Sequence, residues 1–350
     1  MFYEQDSDYN RVNIDMTTLI FPQNPTTGQQ WVAENAVTYT WLGDHWNGVT
    51  AISNATAKFY HEGGTAAFEY DPLSDGLLNG GLADGSADPV PGPGPLPGYS
   101  TFHWKADKPD PRDHIWQIQP LSAIPTSVDL RAYAQPVENQ GQLGSCTGNA
   151  IAEAIEIVDK KNNKNLEISR LFIYYQERLL EGTINQDSGA YIRDGIKACY
   201  TYGAPVESLW PYDTTKFRVK PSNAAYTDAA KRKVTGYQRC LDFAAVKNAV
   251  ATGNPVVVGF LAYDSFYNIT SNGVMSYPNV NTESLLGGHA VCIVGYNDNY
   301  GGIPGNGRFI CKNSWGSTWG NRGYFYMPYQ VIQNTAMSSD FWVINGVRNP

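Results

Sequence analysis

The chain has 350 residues, 42% of them hydrophobic, and only 17% charged, with 34 glycines and 21 prolines, which predicts a loop-rich globular protein of two or three domains. Its net charge of −8 lies wholly in the N-terminal third, where residues 1–124 carry 5 basic and 15 acidic side chains against 20 and 18 in the remainder. Neither part has the basic stripe that phosphate neutralisation needs, so nucleic acid is excluded as a partner, and no 18-residue apolar run exists to span a membrane.

Taken in chain order, residues 1–82 read as a small β-rich module. VTYTWLGDHW (37–46) alternates around Tyr39 and Trp41 and turns at Gly43-Asp44, while 55–71 reads as a hairpin about Gly63-Gly64. Trp31, Trp41 and Trp46 are expected to be the core of this module, the alternative being an exposed aromatic face for carbohydrate or protein. The Pro/Gly-rich stretch 83–100 is a semi-rigid linker. Residues 101–124, polar and punctuated by proline, are expected to form an extended arm lying on the body built from residue 125 onward.

From residue 125 the pattern changes. CTGNAIAEAIEIVDKK (146–161) places Ile151, Ala154, Ile155 and Val158 at helical spacing, and helices are likewise predicted over 169–182, 190–203 and 241–253. Strand-like runs occupy 255–262, 289–297, 308–315 and 323–329. Helices first and strands second predict an α+β body of two packed lobes over 125–350.

The five cysteines, Cys146, Cys199, Cys240, Cys292 and Cys311, are odd in number and show no Cys-x-x-Cys spacing, which argues against a disulfide framework and a zinc site. The N-terminal stretch is acidic and lacks an apolar core, so the expectation is synthesis in a reducing cytoplasm without a signal peptide. Cys146 alone opens a helix, where the partial positive charge of the N-terminus favours thiolate; the other four read as small buried hydrophobes. Of the histidines, His45, His61, His103, His114 and His289, only the last comes after residue 124. It stands after Gly287-Gly288 at the start of an apolar strand, 143 residues beyond Cys146. That separation suits a thiol and its base brought together by the fold.

With these residues in view, the region resembles the papain family of cysteine peptidases. The resemblance rests on PVENQGQLGSC (136–146), DSGAYIRDGIKACYTYG…LWPYD (187–213), GGHAVCIVGYN (287–297) and KNSWGSTWGNRGYF (312–325), in the family's order over about 60% of the chain. It implies a papain-like two-lobe fold, a helical lobe plus a β-barrel-like lobe, and an endopeptidase acting on protein or peptide substrates with no cofactor or metal. Carried onto matching positions, it makes Cys146 the nucleophile and His289 the base. Asn313 would orient the imidazole, and Gln140, six residues before Cys146, would donate to the oxyanion. Trp315 would cover the His–Asn pair, and Ser188-Gly189 would pair with extended substrate. Leu143 stands where the family usually has cysteine, Thr147 where it has tryptophan, and 298–307 is an extended glycine-rich loop.

The first 100 residues do not resemble the family's helical propeptide. The arm 101–124 is therefore expected to occupy or brace the cleft in its place. NPTTGQQWVAENAVTYTWLGDHW (24–46) is similar to a short aromatic motif of tailed-bacteriophage structural proteins, which implies a virion component with virion proteins as partners of residues 1–82. A bacterial enzyme with a β-type targeting module is the alternative. A catalytically silent structural protein on the same fold, and transglutaminase-like chemistry on the same triad, are the competing functions; the intact Gln140, Cys146, His289 and Asn313 favour the peptidase.

Overall fold

The computed structural model describes residues 103–348, together with the backbone of four short strands between Gln30 and Tyr60. The chain divides into two compact units, Met1–Asp88 and Pro89–Pro350. In the first, β1 (Gln30–Val32), β2 (Thr38–Trp41), β3 (His45–Val49) and β4 (Thr56–Tyr60) form an antiparallel sheet in sequential order. β2 and β3 pair with Trp41 opposite Trp46. The predicted Gly63-Gly64 turn, the linker 83–100 and the first residues of the arm lie outside the described residues, as do the segments of 24–46 between the strands.

In the second unit the strands are β5 (Trp104–Lys105), β6 (Ser127–Asp129), β7 (Ala190–Tyr191), β8 (Lys233–Cys240), β9 (Val256–Tyr263), β10 (Leu285–Asn297), β11 (Arg308–Lys312), β12 (Tyr324–Pro328) and β13 (Ser338–Arg348). The helices are α1 (Cys146–Lys161), α2 (Arg170–Leu180), α3 (Ile192–Thr201), α4 (Asn223–Ala229), α5 (Phe243–Ala251), α6 (Asp264–Tyr267) and α7 (Tyr329–Gln333). One antiparallel sheet of seven strands runs β12-β11-β10-β9-β13-β8, with β6 paired to β10.

The sheet is buried on both faces, and this is why its central strands read as apolar runs rather than alternations. In β9, Val256, Val258, Phe260 and Ala262 join the core beneath α5, α6 and α7, whereas Val257 joins the core beneath α1 and α3. β10 divides the same way, with Val291 and Ile293 on one face and Ala290, Cys292 and Val294 on the other. The period of two along each strand thus feeds two cores. The α+β architecture of the sequence reading is the one observed.

The four predicted helices form, the first with its predicted bounds and the other three with ends trimmed by one or two residues, and caps explain several starts. Ser169 accepts from Phe172 N–H at α2, Ser222 from Ala225 at α4 and Asp242 from Ala245 at α5. β8 and β13 are absent from the sequence reading. β13 is interrupted by a register shift between Ser339 and Trp342, where Asp340 holds φ +58°, so its side-chain alternation is broken.

The arm is woven into this unit. Asp107 accepts from the Trp342 indole at 2.8 Å and from Arg193 N–H, and its own N–H donates to Asp340 at 2.7 Å. Asp113 bridges Arg193 at 2.6 Å and Arg239 at 3.1 Å. Trp116 is buried in the core beside α5 and donates to Asn248 Oδ1 at 3.1 Å. Residues 107–119 therefore act as a strap across β8, β13 and α5. No helix among the described residues is long and apolar enough to cross a membrane.

Candidate active site

Cys146 is the first residue of α1 and is fully buried. The turn before it is set by Gly141 at φ +62° and by the Gly144 N–H, which donates to both carboxylate oxygens of Asp187 at 3.0 and 3.1 Å. The Ser145 side chain does not cap the helix, so no hydroxyl competes for the first-turn N–H groups beside the thiol. Backbone groups of Ala290, His103 and Thr147 approach the sulfur within hydrogen-bonding reach. Ala290 is next to His289, so the packing of α1 on β10 brings the thiol to the imidazole's strand.

His289 lies opposite Phe260 of β9, and its Nε2 is 2.8 Å from Asn313 Oδ1. The same Oδ1 accepts from Ser314 N–H at 2.9 Å, which fixes the amide with its oxygen toward the ring. Nε2 must then carry the hydrogen, and Nδ1 is the basic nitrogen of the neutral ring. Aromatic rings enclose the pair: Trp315 at 5.1 Å, Phe266 at 5.7 Å and Phe260 at 5.8 Å between centroids. Trp315 is tilted at 38° to the His289 ring.

Gln140 is fully buried and held at both ends of its amide. Ser314 Oγ donates to its Oε1, and its Nε2 donates to Leu143 O at 3.0 Å. Its backbone N–H donates to Ser314 O at 2.8 Å, so the Cys146 loop and the Asn313 loop are stitched together through one residue. Thr147 donates to the buried carboxyl of Glu177 at 2.8 Å, which accounts for a small hydroxyl residue here.

The sequence reading sets His103 aside with the N-terminal histidines, and the structure brings it to the site. β5 runs parallel to β7, with Ala190 N–H donating to His103 O at 3.3 Å and His103 bridging to Gly288. The segment 103–105 thus crosses beside Cys146 between the two lobes. Ser188 Oγ donates to Thr183 Oγ1 at 3.0 Å and Gly189 holds φ +64°, so the extended pairing falls one residue on, at Ala190. A Cβ on Gly144 would stand 2.7 Å from the His103 ring, and one on Gly189 1.8 Å from His103 O. Only the paired-glycine motif gives a sequence signal for this contact.

Burial decides the electrostatics. It pushes the Cys146 thiol up to about 11 against the opposing backbone bonds from Ala290 and His103. It pushes His289 down to about 4 against the bond to Asn313. Desolvation thus opposes the helix N-terminus, which favours the thiolate. His103 is likewise lowered by burial, with Asp187 opposing.

Beside Asn313, Lys312 Nζ is buried against Glu153 and donates to Gln135 O at 2.8 Å. Glu153, Glu156, Lys312 and Asn313 line a small polar cavity of about 20 Å³ between α1 and β10–β11. No group of three or more His, Cys, Asp or Glu among the described residues is arranged to hold a metal. The remaining four cysteines are buried thiols.

A family model for papain family cysteine protease matches residues 124–343. The chain is 42% identical over 265 residues to an uncharacterized peptidase C1-like protein of Acanthamoeba polyphaga mimivirus, which covers 71% of this chain and 80% of that protein. It is 29% identical over 239 residues to cathepsin K of Gallus gallus, covering 66% and 67%. Among solved structures, xylellain, a cysteine protease from Xylella fastidiosa, superposes with a TM-score of 0.64 at 37% identity, over 72% of this chain and 97% of that one.

Proposed function

The chain belongs to the papain family of cysteine proteases, and from that premise we propose that it is an endopeptidase working through Cys146, His289, Asn313 and Gln140. His289 Nδ1 takes the Cys146 proton as Sγ attacks the scissile carbonyl carbon. The oxyanion is held by Cys146 N–H and by the second Nε2 hydrogen of Gln140, the first being spent on Leu143 O. The imidazolium then protonates the leaving amine, and Asn313 keeps the ring in register for that second transfer. Water, deprotonated at Nδ1, attacks the thioester and restores the thiol.

The observation that carries this reading is the Asn313 Oδ1 contact at 2.8 Å, made by the ring nitrogen that leaves Nδ1 as the base. The arm supports it in a second way. Segment 103–105 lies as an extended strand on Ala190, the mode in which a peptide substrate would be held, so the full chain rests in a latent state. Peptide hydrolysis should be weak in the wild-type chain, rise in Trp104→Ala and vanish when Cys146→Ala is added. Hydrolysis that survives Cys146→Ala contradicts the assignment. A catalytically silent structural protein would hydrolyse nothing in any variant. The tethering of residues 1–82 to a virion is carried by the resemblance of 24–46 alone; mass spectrometry of purified virions tests it.

A further inference from the structure

Tyr212, in the LWPYD stretch (209–213), meets the Cys146 loop, and no step of the chemistry above uses it. Its hydroxyl donates to the backbone carbonyl of Gln140 at 2.9 Å and lies 2.6 Å from Ser145 Oγ. Gln140 O can only accept, so Tyr212 spends its one hydrogen there and Ser145 Oγ–H donates to Tyr212. Ser145 Oγ in turn accepts from Asn149 Nδ2 at 3.1 Å. The bonds run one way, from Asn149 through Ser145 and Tyr212 to Gln140, and each polarises the next. The Ser145 hydroxyl is thus committed to Tyr212 rather than to capping α1.

Both residues held by this phenol carry the oxyanion donors. Gln140 brings its side-chain amide. Ser145 supplies the carbonyl of the peptide unit whose N–H is that of Cys146. That carbonyl accepts from Asn149 N–H at 3.0 Å and from Asn149 Nδ2 at 2.9 Å. A planar peptide fixes the direction of its N–H once its C=O is fixed. Tyr212 is itself anchored without its hydroxyl: its N–H donates to Glu207 at 2.6 Å, and the Arg170 guanidinium stands 4.3 Å from its ring centroid. Arg170 is pinned in turn by Glu138 at 2.9 Å and Glu207 at 3.3 Å. Burial pushes the phenol up to about 12, so it keeps the hydrogen it donates through the neutral range.

We propose that Tyr212 is a positioning residue of the oxyanion hole, its hydroxyl setting the Gln140 amide and the Cys146 N–H relative to each other through the backbones of Gln140 and Ser145. This rests on the peptidase reading above.

The test is Tyr212→Phe in full-length Trp104→Ala, since phenylalanine keeps the ring and removes only the hydroxyl. The expected fall in kcat is about tenfold with KM within about twofold, less than the ~10²–10³ for loss of a donor itself. Combined with Gln140→Ala, the two losses are expected to fall short of their product. Affinities for acetyl-Leu-Leu-Leu aldehyde and its alcohol are read by calorimetry, because only the aldehyde gives Cys146 a tetrahedral oxygen to stabilise. Their ratio is expected to fall about tenfold, while alkylation of Cys146 by iodoacetamide, which forms no oxyanion, stays within about twofold. An unchanged aldehyde-to-alcohol ratio, a full product with Gln140→Ala, a change confined to KM, or alkylation falling in step with kcat overturns the proposal. Should Tyr212→Phe not fold, Ser145→Ala breaks the same run of bonds and is read by the same outcomes. A falling ratio without hydrolysis in any variant sinks the peptidase reading and spares the positioning role; hydrolysis with an unchanged ratio sinks that role alone.

Discussion

Replacing Trp116 by alanine separates an arm that is part of the fold from one that merely covers the cleft. Trp116 is 6% exposed and packs against Cys240 and the apolar face of α5. Its backbone N–H donates to Arg239 O at 2.8 Å, a bond that alanine keeps. Its Nε1 donates to Asn248 Oδ1, but that oxygen also accepts from Gln119 N–H at 2.8 Å and stays satisfied. The loss is therefore mainly of buried apolar contact, for which truncation of a core tryptophan costs about 3–5 kcal/mol. The assay is guanidinium unfolding of the full chain monitored by far-UV circular dichroism, with the helical transition reporting the second unit. A loss of that size, with unchanged slope, is expected. A change below about 0.5 kcal/mol, the range of an ordinary surface substitution, would refute the claim that the strap is integral. By the same reasoning a chain lacking residues 1–124 should fail to fold, rather than yield an unmasked enzyme.

Three further outcomes concern the site and its surroundings. Gln140→Ala is expected to lower kcat by about 10²–10³ with KM little changed, read from steady-state kinetics in the Trp104→Ala background; an effect confined to KM would remove the oxyanion role. Lys312→Met leaves Glu153 and Glu156 without their buried cation and should cost about 3–5 kcal/mol by denaturant unfolding, much of it recovered by adding Glu153→Gln; a neutral Lys312→Met denies that the pair is buried. Burial beside Asp107 raises Asp340 to about 8 from an ordinary carboxylate value, so the folded state holds its proton more tightly than the unfolded chain. Stability from this group is full below about pH 4 and is lost as pH rises toward about 8. Asp340→Asn should flatten the fall of Tm across that window, and an unaltered slope would place the titration elsewhere.

How much of this is legible in the sequence depends on whether a feature is local. The helix opening at Cys146 is marked by four apolar positions at helical spacing, and the glycines ahead of it mark a turn. Gln140, His289 and Asn313 are found by their offsets within motifs, and the structure places His289 Nε2 2.8 Å from Asn313 Oδ1. What cannot be read is set by long-range packing. His103 precedes its contacts at Gly144, Gly189 and Gly288 by 41 to 185 residues, and nothing local marks it. β13 hides behind the bulge at Asp340, a residue whose carboxyl binds both the arm and Arg239 of β8. The electrostatics of the site are non-local for a related reason: the helix N-terminus at Cys146 is visible in sequence, while the burial that pushes its thiol up is not.

The central claim is that Cys146 is the nucleophile and that the arm covers it. The measurement is the rate at which a thiol-directed epoxide adds to the full-length protein, read by intact mass and by the modified peptide. A single addition at Cys146 is expected, slow in the wild-type chain, about tenfold faster in Trp104→Ala, and absent in Cys146→Ala. Addition that persists in Cys146→Ala, or a Cys146 that stays unmodified when Trp104→Ala has opened the cleft, would contradict it.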